Sequence, residues 1–78
     1  MDKEKEYFSL VVDRAGAEGV KEAYRRYREK HGQPPKKLLL NPHAAGRKVT
    51  EVIEAAEALG LAVERDRSIL KWEAWVGG

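Results

Sequence analysis

The sequence predicts an α+β domain in two layers, ordered β-α-β-α-β-β, with a mixed four-stranded sheet and both helices on one of its faces. Three observations predict it. Apolar and polar residues alternate near the start of the chain; two stretches with apolar residues at helical spacing follow, each closed by a glycine; and a short apolar run bounded by Pro-Pro and Asn-Pro separates them. Right-handed crossovers at the two helices bring both to the same side of the sheet.

The first strand is predicted over residues 6–12, where Phe8, Leu10 and Val12 alternate with Tyr7, Ser9 and Val11. Asp13 is placed to cap the first helix, whose stripe is Val20, Ala23, Tyr24, Tyr27 and His31, with Gly16 and Gly19 weakening its opening turns. Glu22 precedes Arg26 in the favourable i, i+4 order, and Gly32 followed by Pro34 and Pro35 ends the helix. Leu38, Leu39 and Leu40 form a run too short for a helix, so a buried central strand is expected over residues 37–41. Asn41 with Pro42 is a possible helix start, interrupted by Gly46; Val49, Val52, Ile53, Ala56 and Leu59 then carry the second helix, with Gly60 as its stop. Leu61 and Val63 mark a third strand and Asp66-Arg67-Ser68 a turn. A fourth strand is expected over residues 69–76, with Leu70, Trp72, Ala74 and Val76 facing the core; Trp72→Ala would then cost about 3–5 kcal/mol as a core truncation. Tyr7, Ser9, Val11, Leu39, Lys71, Glu73 and Trp75 fall on the opposite, uncovered face. Any one of the three leucines could face the helices by composition alone.

At 78 residues the chain makes one domain, 1–78, and a domain of this size hides only about 60–65% of its unfolded surface. Leftover apolar surface is then a reason to pair with something. Cysteine is absent, which excludes disulfides and thiolate metal sites. No apolar segment is long enough to span a bilayer, and the mixed-charge start Met1–Glu6 lacks the apolar core of a signal peptide, so a cytoplasmic protein without membrane contact is expected. The net charge of +2 is uneven: residues 1–13 carry two bases and four acids, residues 14–48 ten bases and three acids, residues 49–78 three bases and six acids. A basic middle flanked by acidic ends reads as a solvated helix face or as a patch for phosphates.

No catalytic set is legible, and no enzyme, cofactor or metal is expected. His31 belongs to a helix end and His43 to a loop, without HExxH or CxxC spacing, and nothing ties His43 to Thr50 or Ser68 as base to nucleophile. Glu51, Glu54 and Glu57 repeat along a helix exterior. The stretch Leu38-Leu39-Leu40-Asn41-Pro42-His43-Ala44-Ala45-Gly46-Arg47-Lys48 has the strand, glycine-containing loop and helix start that aim N–H groups at phosphates, but it lacks the first glycine of a Walker loop, and Val49 stands where a metal-holding hydroxyl is required. It resembles the opening strand and loop of the diacylglycerol-kinase-like lipid kinases over about a dozen residues, which implies nucleotide binding. Their second, Gly-Gly-Asp-Gly-Thr loop has no counterpart.

Tyr24 to Tyr27, Pro35 to Pro42, Ala58-Leu59-Gly60-Leu61 and Trp72-Glu73-Ala74-Trp75-Val76 stand in a pattern over residues 24–78. Together they resemble small phage and mobile-element proteins of Gram-positive bacteria. The resemblance implies an accessory or structural protein and brings no catalytic residue. The first functional expectation is therefore a non-catalytic protein-interaction module, binding a partner protein or itself as a homodimer through Tyr7, Val11, Leu39, Lys71, Glu73 and Trp75. The alternative is nucleic-acid binding, with bases stacked on the sheet aromatics or phosphates held by Arg25, Arg26, Arg28, Lys30, Lys36, Lys37, Arg47 and Lys48. Inhibition of a host nucleic-acid-handling protein is a third.

Overall fold

A computed structural model describes residues 7–78; Met1–Glu6, including Glu6 at the head of the expected first strand, lie outside the described residues. The elements are β1 (Tyr7–Val11), α1 (Val12–His31), β2 (Lys37–Leu40), α2 (Arg47–Ala58), β3 (Ala62–Arg65) and β4 (Glu73–Gly77). The sheet order is β1-β4-β2-β3, with β4 antiparallel to both neighbours and β2 parallel to β3. The predicted mixed four-stranded α+β fold is the one formed.

The register sorts the side chains into two faces. Leu10, Ala74 and Leu40 stand in one row and Phe8, Val76, Leu38 and Val63 in the next. These rows join Val20 and Ala23 of α1 and Val49, Val52 and Ala56 of α2 in one apolar cluster, so both helices cover this face. Both crossovers also step the same way across the sheet, as right-handed connections on one side require. The parity of β2 is thereby settled: Leu38 and Leu40 are fully buried under the helices, and Leu39 points to the other face.

Three local expectations are corrected. Helix α1 begins at Val12 with Val11 as its N-cap and no side-chain cap, so Asp13 lies in the first turn instead of capping it. The chain turns back so soon after β1 because Gly16 breaks the helix with a φ of 52° and a ψ of −142°, backbone angles that side-chain-bearing residues avoid. The far end of α1 closes as expected, on Gly32 at a φ of 70°. Pro42 does not open a helix: residues 42–43 form a turn, and α2 starts at Arg47 after Gly46. Finally, the fourth strand runs from Glu73 to Gly77, not from Ile69, and residues 67–68 and 71–72 form two turns, closed by Ile69 N–H to the Asp66 carbonyl at 3.2 Å and Glu73 N–H to the Leu70 carbonyl at 3.0 Å. Leu70 is consequently 48% exposed and Trp72 54% exposed; neither is a core residue.

Candidate interaction surface

The face of the sheet turned away from the helices carries Ser9, Trp75, Leu39 and Glu64 in one row and Tyr7, Gly77, Lys37 and Ala62 beside it, with Val11 opposite Glu73 at the end of the β1–β4 ladder. Of the six residues expected at an interface, Tyr7, Val11, Leu39, Glu73 and Trp75 share this face. Lys71 does not. It sits in the turn before β4 and lines a separate hollow with Asp13, His43 and Trp72, because the strand begins four residues later than the alternation suggested.

This face is less bare than expected. The loop after β3 folds back across it and buries Ile69 to 1% exposure beside Leu39, which is itself 8% exposed. Asn41 holds the loop there: its Nδ2 donates to the Ile69 carbonyl at 2.7 Å, while its Oδ1 accepts the His43 N–H at 2.7 Å. Within the loop, Asp66 Oδ1 accepts from Ser68 N–H at 2.8 Å and from Ser68 Oγ–H at 2.7 Å.

Two depressions remain. The larger, about 640 Å³, is lined by Tyr7, Ser9, Ser68, Leu70, Glu73 and Trp75. The smaller, about 240 Å³, lies over Leu39 and is rimmed by Lys37, Glu64 and Asp66. The Tyr7 and Trp75 rings meet at 5.9 Å between centroids, tilted by 42°, and form the wall between them. The Trp75 Nε1–H is covered and has no hydrogen-bond acceptor among the described residues. Among the described residues that line the two depressions, Glu73, Glu64 and Asp66 are acidic and Lys37 is basic, its ammonium 3.7 Å from Glu64; Arg67, in the same turn, lines neither depression.

Sequence reasoning missed the two most exposed apolar residues of this region. Val11, Leu70 and Trp72 are the exposed large hydrophobic residues among those described, and they belong to one neighbourhood. Val11 is paired with Glu73, the Val12 N–H donates to the Trp72 carbonyl at 2.9 Å, and the Glu73 N–H donates to that of Leu70. The expected turn at Asp66-Arg67-Ser68 forms, but the absence of glycine and proline between Ile69 and Trp72 hid the second turn, closed by Glu73, that exposes them.

The basic residues do not gather on the aromatic face. On α1, Arg26 pairs with Glu22 at 2.8 Å and Arg25 with Glu29 at 3.2 Å; Lys48 on α2 pairs with Glu51 at 3.6 Å. Lys30 lies 5.8 Å from the centroid of the Phe8 ring. Arg28, Lys36 and Arg47 are exposed and form no ion pair among the described residues. Such exposed pairs are each worth only a few tenths of a kcal/mol, but they offset the charge that a phosphate would meet.

The Asn41–Gly46 loop is built around a cation of the protein itself. Arg65 donates to the Asn41 carbonyl at 2.9 Å and to the Ala44 carbonyl at 3.0 Å, while the His43 and Ala44 N–H groups bond back to Asn41. Carbonyls converge where a nucleotide loop would present donors. The Thr50 and Ser68 hydroxyls donate to the Gly46 carbonyl and the Asp66 carboxylate, not to His43. Among the described residues no group of His, Asp and Glu is arranged to hold a metal ion, and no helix is long and apolar enough to cross a membrane. Comparison of the chain with protein-family models, with curated proteins and with solved structures finds no match.

Proposed function

We propose that the protein is a non-catalytic interaction module that docks a protein, either a partner or a second copy of itself, along the strip from Tyr7 and Trp75 to Val11, Leu70 and Trp72. The observation that carries this reading is that the exposed apolar residues Val11, Leu70 and Trp72 are backbone neighbours at one end of the sheet, with Leu70 lining the larger depression beside the two aromatic rings and Trp72 lining the adjoining hollow. Trp and Tyr supply much of the binding energy of protein interfaces, where burial of a ring removes a large apolar area from water. The acidic surroundings of these rings disfavour a phosphate backbone, which weighs against nucleic acid on this face. An accessory role, which the resemblance read in residues 24–78 implies, belongs to this proposal and adds no site residue.

The test is the solution mass across protein and salt concentrations, with and without a labelled single-stranded oligonucleotide. A salt-insensitive dimer that ignores the oligonucleotide, and that the combined change Leu70→Ala and Trp72→Ala weakens at least about tenfold, is the expected result for self-docking. A monomer that binds the oligonucleotide at low salt and releases it at high salt overturns the reading in favour of the basic residues of α1 and α2.

A further inference from the structure

We infer that the larger depression receives an arginine side chain presented by a docked protein segment. The inference rests on the docking reading above and names the chemistry of the partner. Glu73 is half-buried in this depression and, among the described residues, its carboxylate has no ion pair or side-chain hydrogen bond. Along β4 it stands two residues from Trp75 on the same face, a separation of about 7 Å, and the Trp75 ring leans on Tyr7. A cation lying between the carboxylate and the rings is within the roughly 6 Å at which an aromatic face attracts it.

Three features select guanidinium over other cations. Its plane stacks on an aromatic wall, its weak hydration lowers the cost of entering a half-buried site, and its forked donors reach several acceptors at once. The acceptors are present: the Glu73 carboxylate, the Ser9 hydroxyl, and the Ser68 oxygen, which spends its own hydrogen on Asp66 and keeps its lone pairs. Leu70 on the rim offers an apolar surface for the methylene stem. The Glu73 carboxylate at this depression also draws in a basic segment and turns away an acidic one.

The experiment titrates isotope-labelled full-length protein with two short acetylated, amidated peptides that differ only in carrying arginine or its neutral isostere citrulline. The Trp75 indole N–H resonance, assigned by the loss of the other indole signal in Trp72→Phe, reports the site. Saturable shifts of that resonance and of the Ser9 and Glu73 amides with the arginine peptide, at least about tenfold weaker with citrulline and equalised by Glu73→Gln, are the expected result. Equal responses to both peptides, or shifts confined to other elements, overturn the inference. Equal responses while Leu70→Ala with Trp72→Ala still abolishes association remove the arginine site and leave docking standing. Arginine-specific shifts without any association through the strip remove docking and leave the cation site.

Discussion

Replacing Asn41 by alanine tests how the loop that covers Leu39 is held. Two hydrogen bonds vanish: Nδ2–H to the Ile69 carbonyl and the His43 N–H to Oδ1, each 2.7 Å. A typical bond contributes about 1 kcal/mol net, and the partly buried Ile69 carbonyl, left without its donor, adds a desolvation penalty of about 1–2 kcal/mol. The expected loss is therefore about 2–4 kcal/mol, a large share of the roughly 4–12 kcal/mol that a chain of this length commands. Urea unfolding followed by circular dichroism reads it as a lower midpoint with an unchanged slope. Asn41→Asp sharpens the test. Aspartate keeps the acceptor for His43 but turns a second oxygen toward the Ile69 carbonyl, so it is expected to be at least as destabilised as the alanine variant. A loss below about 0.5 kcal/mol in both variants would refute the argument and show that the loop rests on Ile69 burial alone.

Other expectations follow from the same structure. Leu38→Ala, at a fully buried position beneath both helices, is expected to lose about 2–5 kcal/mol in chemical denaturation, whereas Trp72→Ala, more than half exposed, is expected to lose less than about 1.5 kcal/mol; the reverse order would restore Trp72 to the core. Gly16→Ala places a side chain at positive φ, 3.4 Å from the Glu51 carboxylate, and is expected to lower stability by about 1–2 kcal/mol, with an unchanged melting temperature arguing against the helix break. Arg65→Ala releases the Asn41 and Ala44 carbonyls and is expected to cost about 1–2 kcal/mol and to speed hydrogen exchange at the His43 and Ala44 amides; unaltered exchange would show that the turn holds itself.

Much of this fold was written in short-range pattern. The alternation of Phe8 and Leu10 against Tyr7 and Ser9 gave the faces of β1, the α1 stripe gave Val20 and Ala23, and placing Trp75 and Leu39 together on the uncovered face required only strand parity. What escaped was decided at a distance. Leu70, Trp72, Ala74 and Val76 keep one unbroken alternation through a turn and into a strand, and a turn closed by backbone hydrogen bonds demands no particular polarity of its side chains. Asn41-Pro42 has the chemistry of a helix start, yet its partners are Arg65 and Ile69, more than twenty residues away, and they make it a loop anchor. Hydropathy carries no record of which strand lies beside which, so the order of the sheet could not be read from it. The candidate interface was legible where it depends on strand parity and missed where it depends on the turn from Leu70 to Glu73.

The position of β4 has a consequence for how the molecule is made. This strand follows the other three in chain order and lies second in the sheet, where it is the only hydrogen-bonded neighbour of β1 among the described residues and the link between β1 and β2. A chain growing from its amino end therefore assembles the parallel β2-α2-β3 unit while β1 and its helix wait without a neighbouring strand. The gap between β1 and β2 is filled by residues 73–77, which are synthesised after the other three strands. Pairing β1 with β4 joins positions more than sixty residues apart, the kind of contact whose loop-closure entropy slows folding. Protection of the β1 amides from exchange is expected to arise only once residues 73–77 are in place, so closure of the sheet is a late step that follows the β2-α2-β3 unit.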